Sequence, residues 1–334
     1  MGSDLRDPVP LVVGIGEVLW DILPHRKLPG GAPANVVFHC RQLGLQSYLV
    51  SELGNDDLGG EMRGILGNLL FEPDFLRISG RHPTGSVSIE LDGSQNPQYR
   101  IRENVAWDYI RWSSAMEDLA RKADAVCFGS LAQRRPVSRA TIRRFLDGTR
   151  PECLRVFDIN LREPYPDSAV IFASLERANV VKLNIDELDY LSTLLQLNGD
   201  IQDRLAAMIQ MFDLCYIALT RGAQGSSLVS DAEAVDCPGL LIDVQDTVGA
   251  GDAFTAAVIL GLLRKMPLRD INTMAGRIAA CVCTQMGAMV DLPDDMLQSL
   301  GDRGMPIREY RRHPTIGGNR LSFGETTDRA RKGQ

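Results

Sequence analysis

Short apolar runs rich in Val, Ile and Leu alternate along the chain with stretches in which apolar residues recur every three or four positions. Continuous apolar strands separated by amphipathic helices are the pattern of βαβ units around a parallel sheet buried on both faces. The runs predict strands over Leu11–Ile15, Ser47–Ser51, Ala125–Gly129, Arg155–Ile159, Val180–Leu183 and Cys215–Thr220. Between the first two, Ala34–Leu43 sets Val36, Val37, Cys40 and Leu43 on one face behind Pro33, a good first-turn residue, and predicts a helix. Two regions break the rhythm. Gly16–Gly30 is turn-rich, and Pro83–Trp107 holds TGSVSIELDG followed by QYRIRENVAW, which reads as a hairpin. Together, as about 17–31 and 83–107, they predict a small β lid on the main sheet.

Composition narrows the function more than the fold. A chain of 334 residues has room for a large core, and 44% hydrophobic with 24% charged residues excludes disorder or coiled coil for its bulk. A net charge of −7 opposes general nucleic-acid binding and favours small-molecule chemistry. The N-terminus MGSDLRDPVP has no apolar signal core, and the longest apolar stretch, Ala253–Leu263, is far short of a membrane span. Seven Cys form no CxxC pair and mostly sit in apolar runs, Cys281 and Cys283 among them. They read as buried reduced thiols of a soluble, cytoplasmic chain. From Arg303 to Gln334, eight Lys or Arg face three Asp or Glu with little apolar periodicity. The expectation is one domain over 1–302 and a basic, poorly ordered tail over 303–334.

Two motifs carry chemistry. Asp246-Thr-Val-Gly-Ala-Gly-Asp-Ala-Phe254 runs into an apolar segment and reads as a glycine-rich turn feeding a helix. The amides of Gly249, Ala250, Gly251 and Asp252 would converge where the helix dipole favours negative charge, a nest for a phosphate or an oxyanion. Asp252 beside it is a natural general base, kept ionised at neutral pH by the dipole. A tight turn with a capping carboxylate would leave the same string. Gly30-Gly-Ala-Pro-Ala-Asn35, preceded by Gly16-Glu-Val-Leu-Trp-Asp21, allows a ligand close to the backbone. Asn35 offers a donor and an acceptor, and Asp21 could accept two adjacent hydroxyls.

Taken together, GGAPAN and DTVGAGDAF resemble the paired signatures of the PfkB, or ribokinase-like, carbohydrate kinases, over about residues 11–295. Phe157-Asp-Ile-Asn-Leu-Arg162, Lys182-Leu-Asn-Ile-Asp-Glu187 and Leu219-Thr-Arg-Gly-Ala-Gln-Gly225 look like further family motifs in the family order. The resemblance implies an α/β fold with a doubly wound central sheet flanked by helices and the β lid. It makes Asp252 the base and Gly249, Ala250 and Gly251 the anion hole, and places Asp21, Gly30, Gly31, Asn35 and Arg162 at the sugar. Asn184 and Glu187 are implied to organise magnesium and phosphates through water. Thr220, Gly222 and Gly225 are implied to form the nucleotide loop, and Asp246 with the Val248 carbonyl a candidate potassium site. Gly276 stands where many relatives have Asn near the adenine.

The implied reaction takes ATP and Mg2+, with K+ as a candidate activator. The context around Trp20 and Trp107 most resembles bacterial fructokinases, with 2-keto-3-deoxy-gluconate kinase as the rival. A catalytically inactive scaffold homologue should have lost the base or the glycines, and they stand. The partners expected are a sugar and ATP, with a candidate homodimer through the lid. Among residues outside these motifs, His39 reads as a packed or surface residue rather than a ligand. Trp107 reads equally as hairpin core or as a wall of the sugar site.

Overall fold

The computed structural model describes residues 9–70, 72–91, 97–165 and 167–301; the basic tail expected over 303–334 lies outside them. The strands are β1 (Leu11–Ile15), β2 (Leu19–Leu23), β3 (Arg26–Gly30), β4 (Gln46–Gly54), β5 (Leu76–Ser79), β6 (Gly85–Leu91), β7 (Pro97–Ile101), β8 (Ala125–Gly129), β9 (Leu154–Asp158), β10 (Val180–Asn184), β11 (Tyr216–Thr220), β12 (Ser226–Val229) and β13 (Ala234–Cys237). The helices are α1 (Ala32–Gln42), α2 (Asp57–Leu70), α3 (Ser114–Lys122), α4 (Pro136–Asp147), α5 (Ser168–Leu175), α6 (Ile185–Leu195), α7 (Ile201–Phe212), α8 (Ala250–Leu263), α9 (Leu268–Cys283) and α10 (Asp294–Gly301).

Nine strands form the main sheet in the order β13-β12-β11-β10-β9-β8-β1-β4-β5. All pairs from β11 to β5 are parallel, and β12 and β13 add an antiparallel edge. Successive residues of a strand point to opposite faces, and the core divides accordingly. Val12, Cys127, Val156, Val180 and Ala218 face one layer with α1, α8 and α9. Val13, Val126, Phe128, Phe157, Val181 and Ile217 face the other with α3 to α7. Both faces are therefore apolar, which is why the central strands read as unbroken hydrophobic runs.

The chain passes from β1 to β4 and β5 on one side, then returns to β8 on the other. That reversal opens a crevice at the carboxyl ends of β1 and β8, where open α/β sheets bind ligands. Over this crevice stands a four-stranded lid, ordered β3-β2-β6-β7, with β6 and β7 the antiparallel hairpin read from the sequence. Trp20 roots the lid, buried with its Nε1 donating to the Leu58 carbonyl at 2.9 Å.

Trp107 lies just beyond the hairpin, fully buried beside main-sheet residues and the hairpin's Val87 and Ile101, and its indole Nε1 has no partner among the described residues. Beside it the lid joins the body through Arg134, whose Nε and Nη2 grip Asp108 at 2.7 and 2.9 Å while Nη2 also donates to the Arg102 carbonyl. Two expectations on cysteine need correction. Cys40, Cys127 and Cys153 are buried and reduced, but Cys215 is exposed and Cys281 and Cys283 are only partly covered. On α9 the buried stripe runs through Met274, Ala275, Ile278 and Val282, so its two cysteines flank the stripe. Among the described residues no helix is long and apolar enough to cross a membrane.

Candidate active site

The end of β1 turns at Gly16, crosses the lid through β2 and β3, and re-enters the body at Gly31. The register of β2 on β3 places Leu19 opposite Gly30 and Asp21 opposite Leu28. A Cβ on Gly30 would fall 2.6 Å from Asp21 Oδ2, so the bare backbone there makes room for the carboxylate. Gly31 sits at φ 110° as N-cap of α1, and a Cβ would meet the Glu17 carbonyl at 2.5 Å. Only glycine suits that position.

Asn35 and Asp252 meet. Asn35 Nδ2 donates to Asp252 Oδ2 at 2.7 Å, joining α1 to the first turn of α8. Asn35 Oδ1 is buried and has no partner among the described residues. A buried amide oxygen without a donor is costly unless something else fills its valence, and a ligand hydroxyl would. Gly249 caps α8 at φ 80°, and the first intrahelical bond runs from the Ala253 amide to the Gly249 carbonyl. The Gly251 and Asp252 amides precede that bond and remain open at the positive end of the dipole.

Burial, then the charge of Asp158, raises the Asp252 carboxyl to about 7 against the pull of Lys182, the Asn35 bond and Arg162. The dipole therefore does not keep it fully ionised at neutral pH, contrary to the sequence reading. Desolvation and a neighbouring like charge outweigh a terminal half-charge. Burial likewise raises Asp21 to about 6, opposed by Arg162 and helped by Asp246.

Two charged residues that the motif reading passed over lie beneath the α8 turn. Asp158 and Lys182 are neighbours in register on β9 and β10, both buried, with Lys182 Nζ 3.1 Å from Asp158 Oδ1. Thr255 Oγ1 reaches the other oxygen at 3.3 Å. A Cβ on Gly251 would stand 2.9 Å from Lys182 Nζ, so this glycine lets the ammonium approach the turn. Burial works against the Lys182 charge, but Asp158, Glu187 and Asp252 outweigh it and raise its pKa, which keeps it cationic. The signal was legible, since Lys and Asp inside central strands are rare unless paired.

Asn184 and Glu187 form a capping box on α6. Asn184 Oδ1 accepts the Glu187 amide and Glu187 Oε2 accepts the Asn184 amide, both at 2.8 Å, while Glu187 Oε1 accepts the Leu161 amide at 3.0 Å. With both oxygens engaged, Glu187 fits a metal through water better than direct ligation. No group of three or more His, Cys, Asp or Glu able to hold a metal occurs among the described residues.

Asp246 accepts the Val248 and Gly287 amides at 3.0 Å each, which leaves lone pairs for a monovalent cation on an otherwise fixed carboxylate. Val248 itself is exposed. Thr220 ends β11, and Gly222, at φ 54°, faces open space where a ligand could lie on the backbone. Gly225 has a packing reason instead, because its Cβ would collide with the Cys237 carbonyl at 2.0 Å. Gly276 on α9 also faces open space. Arg162 is exposed and no carboxylate lies within ion-pair distance of it among the described residues, yet Asp21, Glu17 and Asp252 all feel its charge.

The arrangement can deprotonate a hydroxyl beside a phosphate-binding turn, and similarity to known proteins points the same way. The fructokinase of Salmonella typhimurium is 29% identical over 302 residues, covering 84% of this chain and 95% of the relative. The structure of a sugar kinase of Pyrococcus horikoshii in complex with ATP superposes with TM-score 0.71 at 27% identity, over 86% of this chain and 97% of that one. The fold is also that of an ATP-bound fructokinase from Xylella fastidiosa, with TM-score 0.75 at 21% identity, over 88% and 98% of the two chains. The family model of the pfkB family carbohydrate kinases matches residues 7–295. Since that match takes in both glycine-rich loops and the sheet between them, the chain belongs to the pfkB family of carbohydrate kinases, phosphotransferases that act on sugars.

Proposed function

We propose that the protein transfers the γ-phosphoryl group of ATP to the primary hydroxyl of D-fructose, giving fructose 6-phosphate and ADP. The observation that carries this reading is the Asn35 amide, which binds Asp252 with its nitrogen while its buried oxygen has no partner among the described residues. A sugar hydroxyl donating to that oxygen would set a neighbouring hydroxyl, the attacking one, within reach of the Asp252 carboxylate. Asp252 takes the hydroxyl proton as the oxygen attacks the γ-phosphorus and the bond to the β-phosphate oxygen breaks, so that ADP leaves and the proton stays on the Asp252 carboxyl until it passes to solvent. The amides of Gly249 and Gly251, with Lys182 beneath them, stabilise the charge spread over the phosphoryl oxygens, while the Ala250 amide donates to the Thr247 carbonyl at 3.3 Å and must give up that long bond to join them. Asp21, Gly30 and Gly31 hold the remaining hydroxyls under the lid.

Thr220, Gly222 and Gly225 shape the nucleotide loop, Gly222 as the point of contact and Gly225 by holding the turn. Glu187 and Asn184 would hold a Mg2+ ion through water, and such an ion would neutralise phosphate charge. Asp246 and the Val248 carbonyl fit a potassium ion beside the turn. Similarity to the Salmonella typhimurium fructokinase favours a neutral ketohexose, as do the hydroxyl acceptors Asp21 and Asn35.

Arg162 favours a second reading. An exposed guanidinium with no carboxylate at ion-pair distance, beside the sugar carboxylate Asp21, suits an acidic substrate such as 2-keto-3-deoxy-gluconate. ADP release measured over D-fructose, 2-keto-3-deoxy-gluconate, ribose and nucleosides tests both. The highest kcat/KM is expected with D-fructose; a higher value with the keto acid would replace the substrate and keep the kinase, and no turnover with any acceptor would remove the reading.

A further inference from the structure

One face of α1 carries three polar side chains at helical spacing, Asn35, His39 and Gln42, and all three are buried. Beyond Asn35, their partners lie on one stretch of backbone. His39 Nε2 is 2.9 Å from the Ala288 carbonyl oxygen. Gln42 Nε2 donates to the Val290 carbonyl at 2.9 Å and lies 3.3 Å from His39 Nδ1, while Gln42 Oε1 accepts the Leu292 amide at 2.8 Å. Carbonyls only accept, so the protons are fixed: His39 carries its hydrogen on Nε2 and accepts on Nδ1 from Gln42. Burial holds the imidazole down at about 4 against the Ala288 bond, so it is neutral at neutral pH, as this arrangement requires.

The backbone they hold follows α9 without regular structure, and its residues from Gly287 to Val290 are buried. A buried irregular segment must find partners for its polar groups outside itself, and α1 supplies them. The same segment floors the glycine turn of α8. A Cβ on Gly249 would lie 2.4 Å from the Ala288 Cβ, and the Gly287 amide donates to Asp246. The carbonyl gripped by His39 thus belongs to the residue on which Gly249 rests.

We propose that His39, backed by Gln42, is a positioning residue for phosphoryl transfer, which sets the Gly249–Asp252 turn against Asn35 by holding Ala288 beneath Gly249. The proposal rests on the reading of that turn and Asp252 as the transfer site. His39 touches no reacting group. Leucine in its place would fill much of the volume yet leave the Ala288 carbonyl unpaired and free to shift, and donors to a transferring group lose their effect with small displacements. Lost packing alone would lower melting temperature and leave turnover of the folded enzyme unchanged, so the two roles separate.

The test is steady-state kinetics with D-fructose and Mg-ATP on His39→Leu, His39→Gln, Gln42→Met and, as a stability control, Ile142→Ala, a fully buried side chain on α4 across the sheet. His39→Leu should lose at least about tenfold in kcat with both KM values within about twofold. His39→Gln should recover most of the loss, because its amide can donate to Ala288. Ile142→Ala should melt earlier and keep its kcat. Wild-type kcat in His39→Leu, or in Gln42→Met where the first variant does not fold, overturns the proposal, and so does an equal kcat loss in Ile142→Ala. Failure of the underlying reading shows differently, as near wild-type turnover in Asp252→Asn.

Discussion

Asn35 and Asp252, 217 residues apart in sequence, are joined by a 2.7 Å bond from amide nitrogen to carboxylate oxygen. The two family signatures are thereby one structure. The bond leaves the Asn35 oxygen without a partner among the described residues, and it opposes the burial that raises the Asp252 carboxyl. On the proposed reading, one residue both holds the sugar and tunes the group that deprotonates it.

A base whose carboxyl titrates at about 7 must lose its proton before it can act. The expected kcat/KM for sugar rises with pH through about 7 and levels above it. Asp252→Asn should remove that limb and lower kcat by roughly 10²- to 10⁴-fold. Its stability should move the other way. A carboxyl raised in the folded state is more easily ionised unfolded, so it destabilises the fold increasingly from about pH 4 to 7 and fully above. Asparagine removes that cost, and thermal unfolding at pH 8 should show a gain on the order of 1–3 kcal/mol. A variant that is both less stable and still active would refute the assignment.

The joint between lid and body yields a stability prediction. Arg134 and Asp108 are almost fully buried, with side-chain exposures of 5% and 0%, and the guanidinium also stacks over Trp107 at 4.2 Å. Breaking a buried pair from one side strands the other charge, at a cost of about 3–5 kcal/mol. Asp108→Asn should show it in urea unfolding, whereas Arg135→Ala, which breaks the exposed pair with Glu103, should change stability by less than about 1 kcal/mol. Similar losses in the two variants would show that the buried pair is not what holds the joint.

The sequence was most legible where one physical constraint acted alone. Strands β1 and β8 were read to the residue because parallel strands buried on both faces must be apolar throughout. The edge strands β12 and β13 were not read, since they are only four residues long and carry Ser226, Ser227 and Asp236. The glycine loops were legible because Gly31 and Gly249 occupy backbone conformations that other residues rarely adopt. A Lys and an Asp inside predicted central strands signalled a buried pair, but that Lys182 and Asp158 pair with each other depends on the register of β9 on β10, which spacing along the chain does not reveal. The ionisation of Asp252 was misjudged for the same reason. The dipole is a local property of the sequence, while the burial and the Asp158 charge that outweigh it are tertiary.

Potassium should activate the enzyme more than sodium. Both Asp246 oxygens already accept backbone amides, so the carboxylate is fixed beside the anion turn and can meet a large, weakly hydrated ion without moving. Rates in matched KCl and NaCl should differ severalfold, and Asp246→Asn should abolish the difference while leaving some basal turnover. Equal rates in the two salts for the wild-type chain would remove the cation site.

Adjacent glycines 30 and 31 should fail in opposite ways when each is replaced by alanine. At Gly31 the φ of 110° is strained for any side chain, and the new methyl would press on the Glu17 carbonyl at 2.5 Å, a backbone atom that cannot swing aside. Strain of this kind costs about 1–3 kcal/mol before the clash is counted, and α1 begins at the next residue. Gly31→Ala should therefore melt well below wild type and lose soluble yield. Gly30 ends an ordinary strand, and its methyl would press on the Asp21 carboxylate at 2.6 Å, the movable end of a side chain, and touch Leu19 Cδ1 at an ordinary 3.6 Å. Gly30→Ala should fold normally and displace Asp21, raising the fructose KM at least about tenfold while the ATP KM stays put, as expected when a buried hydroxyl contact is lost. Calorimetry and two-substrate kinetics on the pair decide it: a normal fructose KM in Gly30→Ala would mean that Asp21 does not hold the sugar, whatever becomes of its neighbour.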